Sequence, residues 1–170
     1  MSKVFRAIVA EYDPEYVSLG LDEVNMDVTD WLIANDMNNE EGKQELAQTI
    51  RTRVYEATKL TCSAGIAPNR MLSKICSDWN KPNGQAYIAP SRHDILEFIS
   101  KLDIRKIPYI GAMTETTLKE IGIKTGKDLV ERAADLMIGY REIMYTFLIK
   151  CGLGIGQQVH HEEKSDETFV

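Results

Sequence analysis

Two adjacent carboxylates, Asp22 and Glu23, interrupt a strand-like part of the sequence. Apolar residues alternate at Val17, Leu19 and Leu21, and this alternation changes phase at the acidic pair. The phase change predicts a hairpin with both carboxylates at its tip. Burying two like charges without a counter-charge is costly, and a divalent cation removes that cost. Hard oxygen ligands favour Mg²⁺, so the pair is a candidate metal site, with a solvated surface turn as the alternative.

A second candidate is Lys81, which follows a predicted helix and precedes a turn at Pro82 and Gly84. A lysine presented beside a metal-bound acid pair can contact a phosphate group. The alternative is an ordinary turn with no function.

Two glycines, Gly111 and Gly122, interrupt short predicted helices in residues 107–123. This arrangement resembles a helix-hairpin-helix motif, in which backbone N–H groups hold a DNA phosphate without reading the base sequence. A plain helical bundle with glycine turns is the alternative.

Hydrophobic periodicity predicts the elements that position these residues. One helix is predicted near the N-terminus and a second over residues 43–59. Two more are predicted from their N-caps, one from Asn69 to Trp79 and one that begins after Ser91. A buried strand is predicted over residues 60–66, and a short strand after Gly84. The fold class is therefore α+β, with a hairpin and strands packed on helices in layers up to residue 100. From residue 101 onwards the sequence predicts a small all-α unit.

Composition and charge limit the classes of protein. The chain has 170 residues, of which 44% are hydrophobic, and a net charge of −6, which argues against a generic nucleic-acid binder. The charge is uneven, because residues 1–45 carry −8, residues 46–132 carry +5 and residues 133–170 carry −3. A phosphate-facing surface is therefore expected only in the middle. No apolar run approaches about 18 residues, so we expect no membrane span, and the three separated cysteines predict reduced thiols.

Three segments, residues 10–29, 60–90 and 104–123, together resemble the Y-family (DinB-like) translesion DNA polymerases, in particular the eukaryotic kappa branch. The resemblance extends from about residue 4 to residue 154. It implies template-directed nucleotidyl transfer with two Mg²⁺ ions, with primer-template DNA and a dNTP as partners, in the nucleus.

The family motif also implies roles for single residues. Asp22 and Glu23 would be the catalytic, metal-binding acids, Lys81 would contact the triphosphate, and the turns at Gly111 and Gly122 would grip DNA phosphates. Tyr109 occupies the position of the first glycine of the family's usual turn, and it is unfavourable there if that position needs a positive φ.

The resemblance divides the chain into a partial palm domain (residues 1–100), a helical, helix-hairpin-helix-like thumb (101–152) and a polar linker or tail (153–170). The family's first palm strand with a further metal-binding Asp, its fingers and its last domain are expected to be absent. Activity of this chain alone is therefore expected to be impaired. The alternatives are a non-catalytic DNA-binding fragment or inactive isoform that keeps the thumb's phosphate contacts, and a remnant that folds poorly.

Overall fold

The computed structural model describes residues 2–156, which form a mostly helical structure with two small sheets. The helices are α1 Ser2–Ala10, α2 Thr29–Ala34, α3 Glu40–Thr58, α4 Arg70–Trp79, α5 Arg92–Lys101, α6 Ala112–Glu120, α7 Gly126–Glu131, α8 Ala133–Gly139 and α9 Glu142–Gly152, with a 3₁₀ turn at Ile104–Lys106. The strands are β1 Val17–Leu19, β2 Glu23–Asn25, β3 Ala64–Ile66 and β4 Gln85–Tyr87. Within the described range, every helix is too short or too polar to cross a membrane. Residues 157–170, most of the predicted tail, lie outside the described residues.

The strands form two separate pairs. β1 and β2 are antiparallel, with Leu19 opposite Glu23, so the predicted hairpin is confirmed. β3 and β4 are parallel, with Ala64 opposite Gln85, and α4 supplies the crossover between them. Because each pair has only three residues per strand, the helices that cover them carry most of the apolar packing.

The second hairpin strand ends at Asn25, although the apolar alternation of Val24, Met26 and Val28 predicts a longer strand. The backbone N–H of Asp27 donates to the buried carboxylate of Asp13 at 2.8 Å instead of continuing the sheet. The Asp27 carboxylate then accepts the N–H of Thr29 at 3.0 Å, at the start of α2. Helix α2 was not predicted: the apolar alternation continues through Val28, and this N-cap residue makes no side-chain cap hydrogen bond that would mark a helix start.

The predicted helix caps are confirmed, whereas the predicted strand over residues 60–66 was too long and too buried. The side chains of Asn69 and Ser91 accept the N–H groups of Leu72 and Asp94, respectively. β3 covers only Ala64–Ile66 and is half-buried. The preceding residues leave the sheet because the carbonyl of Cys62 accepts a hydrogen bond from a side chain of α3, not from a strand.

One continuous apolar core joins α4 and Ile88, the residue after β4, to α5 and the helices that follow residue 101. Its buried members are Leu72, Ile75, Cys76, Ile88, Ile99, Leu102, Ile104, Ile107, Ile110, Leu118, Ile123, Leu129, Leu136, Leu148 and Cys151. The side chain of Asn69 also donates to the carbonyl of Gly154 at 2.9 Å, so the end of the described chain returns to the start of α4. Helix α4 and the later helices thus contribute to one core.

Candidate functional site

The two acids of the predicted site lie at the hairpin tip. Asp22 is exposed in the three-residue turn, and Glu23 is the first residue of β2 and is half-buried. Gly20 adopts a φ of +78° in the same turn, a conformation that glycine adopts without steric cost. The turn therefore presents both carboxylates at one end of the hairpin, as the change of apolar phase predicted.

Helix α4 supplies the cation that pairs with Glu23. The Nζ of Lys74 forms an ion pair and hydrogen bond with the Glu23 carboxylate, and the two side chains are 32% and 40% exposed. The sequence interpretation did not single out Lys74. Its only local signal is a charged position on an otherwise strongly amphipathic helix, and the partner lies 51 residues earlier in the chain.

Lys81 lies just beyond the end of α4 and is exposed. Its ammonium group is paired with Asp78, and this hydrogen bond raises the pKa of Lys81 above its ordinary value. The charges of Asp78, Glu23 and Asp22 raise the pKa further, whereas slight burial opposes the shift. Lys81 is therefore within electrostatic reach of both hairpin carboxylates.

These charged residues line one cleft. It has a volume of about 640 Å³ and is lined by Asp22, Glu23, Lys74 and Lys81 together with apolar residues of the hairpin, α1, α3 and β3. The structure thus brings together three of the predicted site residues and adds Lys74. Gly111 and Gly122 do not line the cleft.

A buried arginine holds the turn that carries Lys81. The side chain of Arg51, on α3, is 8% exposed. Its guanidinium donates to the carbonyl of Cys62 at 3.1 Å and to the side-chain oxygens of Gln48 and Gln85 at 2.9 and 3.1 Å. It also donates to the carbonyl and the side chain of Asn83. All five N–H donors are thus used on neutral oxygens, which ties the Lys81 turn to α3.

The chemistry of the donors is suited to Mg²⁺. Two carboxylates are adjacent, and Mg²⁺ is commonly held by one or two carboxylates while water and substrate phosphates complete its coordination. Among residues 2–156, no group of three or more His, Cys, Asp or Glu side chains is placed to hold a metal. Of these residue types, the described chain therefore places at most the adjacent pair Asp22 and Glu23 where they could hold Mg²⁺, and not a complete protein cage.

The two predicted phosphate-binding glycines lie at opposite ends of α6. Gly111 is its N-cap with a φ of −79°, and a Cβ at this position would have no neighbouring atom within 4 Å. Gly122 follows the helix with a φ of +83°, and a Cβ there would lie 2.6 Å from Nη1 of Arg132. Tyr109 does adopt a positive φ of 70°. Its ring is 87% exposed and contacts Phe147 edge-on, so the strain is local and the side chain is accommodated outside the core.

Comparisons with known proteins agree with this fold. Residues 1–78 match the family model described as impB/mucB/samB family. The chain is 39% identical over 156 residues to DNA polymerase kappa of Arabidopsis thaliana, covering 91% of this chain and 23% of that protein. It is 35% identical over 163 residues to DNA polymerase IV of Legionella pneumophila, covering 96% of this chain and 44% of that protein.

A solved structure of a polymerase has the same fold. An insertion ternary complex of Dbh DNA polymerase superimposes with a TM-score of 0.82 at 29% identity, covering 93% of this chain and 45% of that one. The fold is that of the Y-family DNA polymerases. Within that class the chain belongs with the DinB-like members. It spans less than half the length of each relative named here.

Proposed function

We propose that this chain supplies the acid pair and the phosphate-contacting lysine of a template-directed nucleotidyl-transfer site, in a DNA polymerase that bypasses damaged bases. The observation that carries the proposal is the single cleft that Asp22, Glu23 and Lys81 line, where both acids act electrostatically on Lys81. The family match, whose relatives are named as DNA polymerases, supports the same reaction.

In this proposal Asp22 and Glu23 hold Mg²⁺, which when bound stabilises the attacking and leaving oxygens of the transfer. Asp22 is exposed at the tip and can take a ligand without rearrangement of the backbone. Lys81 binds the triphosphate of the incoming nucleotide, because its ammonium group is exposed, charged at neutral pH and placed at the rim of the cleft. Arg51 keeps the turn in place while the exposed Lys81 side chain exchanges partners.

We further propose that residues 1–100 act as the palm and residues 101–152 as a helix-hairpin-helix thumb that contacts duplex phosphates at Gly111 and Gly122. Exposed lysines flank these turns, and Lys106 and Lys124 form no ion pair within residues 2–156. Cations not neutralised within the protein are available to phosphates. Primer-template DNA and a dNTP are the proposed partners, and the nucleus is the proposed location, which rests on the resemblance to the kappa branch alone.

A second candidate is DNA binding without chemistry. It is favoured by the two-carboxylate site, because the described residues place no third acid, histidine or cysteine beside the pair. Two carboxylates define the position of two metal ions less well than three would.

Primer extension distinguishes nucleotidyl transfer from DNA binding without chemistry. The purified chain is incubated with a primed template, Mg²⁺ and dNTPs beside Asp22→Ala and, as a matched control, Asp30→Ala, which removes an exposed carboxylate on α2. Extension by the chain and by Asp30→Ala, but not by Asp22→Ala, supports catalysis at the hairpin. No extension by any of the three contradicts catalysis by this chain. Binding to the same DNA that weakens steeply with salt then supports the second candidate.

A further inference from the structure

The carboxylate of Glu23 already has a cationic partner within the chain. Lys74 reaches it from α4, whose buried face (Leu72, Ile75 and Cys76) is packed into the core. The helix is therefore a fixed support, while the lysine side chain, about one-third exposed, is free to change its rotamer. The ion pair is positioned by tertiary structure but is not sealed from water.

The other cation near the hairpin has a different partner. Lys81 is paired with Asp78, three residues earlier in the chain. The charged side chains thus form two separate pairs, in which Glu23 is neutralised by Lys74 and Lys81 by Asp78. Asp22, at the tip of the turn, forms no ion pair within the described range.

We propose that the Lys74 ammonium group is a built-in competitor for divalent cations at Glu23: it neutralises the carboxylate when no metal is bound, and it must leave for the metal to bind. The inference rests on the proposed function, because it takes Asp22 and Glu23 as the metal-binding pair. A lysine ammonium is a compact charge on a flexible stem, and a partly exposed ion pair is weak. The pair therefore lowers metal affinity without preventing binding.

This competition has a consequence for the order of events at the site. A cation at Asp22 alone leaves the Lys74–Glu23 pair intact, whereas a cation held by both acids breaks it. Once released, the ammonium group of Lys74 lies at the cleft lining close to the acids, where an anionic ligand entering with the metal would attract it. Lys74 thus links metal binding at the hairpin to the negative charge of the ligand that enters with the metal.

The test measures Mn²⁺ binding to the whole chain by electron paramagnetic resonance of the free ion, without DNA or nucleotide. Lys74→Met removes the charge and keeps an unbranched side chain, Lys74→Gln is a second neutral variant, and Lys74→Arg keeps the charge. The matched control is Lys101→Gln, which breaks a lysine–glutamate pair on α5 outside the cleft. The double variant Asp22→Asn/Glu23→Gln measures Mn²⁺ binding that does not involve the hairpin, and this background is subtracted.

We expect Lys74→Met and Lys74→Gln to bind Mn²⁺ at the hairpin about three- to tenfold more tightly than the unchanged chain. Lys74→Arg and Lys101→Gln should bind as the unchanged chain does. Equal affinity in all variants overturns the inference but leaves the metal site. Weaker binding by the neutral variants also overturns it, because Lys74 would then organise the site. Absence of hairpin-dependent binding in every variant overturns both the inference and the metal-binding part of the proposed function.

Discussion

The guanidinium of Arg51 and the side chain of Asn83, 32 residues apart in the chain, are joined by a 2.8 Å hydrogen bond between Nη2 and Oδ1. Asn83 has a φ of 51°, a left-handed conformation that asparagine tolerates better than most residues. Because Asn83 lies two residues after Lys81, this contact fixes the turn that presents the lysine to the hairpin carboxylates. A buried residue on α3 thus positions a group at the rim of the cleft.

Arg51→Met is expected to destabilise the fold by about 3 kcal/mol or more, because it leaves several buried oxygens without a donor. Urea unfolding followed by circular dichroism measures the change. Arg53→Met is the matched control on the same helix, since Arg53 is partly exposed and pairs with Glu11 at the surface. Its effect should be small. Equal losses from both variants would show that the buried network adds no specific stability.

Gly122→Ala is expected to destabilise the fold by about 1–3 kcal/mol, because alanine disfavours a positive φ. The new methyl group would also approach Nη1 of Arg132, which donates to the carbonyl of Ile121. Gly111→Ala is the control at the other end of α6, where φ is −79° and the space is open. Thermal unfolding should separate the two variants. A similar midpoint for both would contradict the strain assigned to Gly122.

Asp78→Asn is expected to lower the pKa of Lys81 toward its ordinary value, because the hydrogen bond from Lys81 to Asp78 is the largest cause of the upward shift. Asp22→Asn should lower the same pKa less, since Asp22 acts only through its charge and is the weakest cause. Nuclear magnetic resonance of ¹³C-methylated lysines reports both values. The reverse order of effects would contradict the assigned ion pair.

The raised pKa of Lys81 also predicts how the stability of the fold changes with pH. A lysine whose pKa is raised by folding stabilises the folded state at pH values below its ordinary pKa, and this contribution disappears as the pH rises through the folded value. The Asp78→Asn variant should therefore show a weaker loss of stability than the unchanged chain at alkaline pH. Unfolding midpoints measured across that range test this expectation.

The three cysteines should react in a defined order. Burial raises the pKa of Cys76 and of Cys151 to about 12, and it also raises the pKa of the half-buried Cys62, against the opposing charge of Arg51. Since the thiolate is the reactive form, iodoacetamide should modify Cys62 first and the other two only as the fold opens. Mass spectrometry after timed alkylation gives the order, and urea-unfolded chain, in which all three should react alike, is the control. Equal native rates would contradict the burial of Cys76 and Cys151.

Local patterns predicted those parts of the fold that depend on neighbours in the sequence. The change of apolar phase between Leu21 and Val24 indicated the hairpin, and the caps Asn69 and Ser91 indicated where α4 and α5 begin. These features act over a few residues, so the sequence displays them directly. The early end of β2 was not predicted because the carboxylate of Asp13 accepts a backbone N–H 14 residues away, which no local pattern displays.

The candidate site shows the same division. Its residue types could be recognised in the sequence: an acid pair at a hairpin tip, a lysine before a turn and glycines between helices. Sequence reasoning overlooked Lys74 and Arg51, whose partners are distant in the chain. Arg51 offered a weak signal, because it lies beside the apolar positions Ala47 and Val54 of α3, where a charge is unusual unless it is paired or hydrogen-bonded.

The sequence by itself determined the hairpin, the starts of α4 and α5, the acid pair and the resemblance to the DinB-like polymerases, since each depends on local spacing or on motifs. Only the tertiary structure decided which cation neutralises Glu23. Lys74 pairs with it across 51 residues of the chain because α4 is anchored in the core with its charged side facing the hairpin, whereas the Lys81–Asp78 pair is local in the sequence. Electrostatic interactions depend on distance in space and on exposure to solvent, and packing sets both.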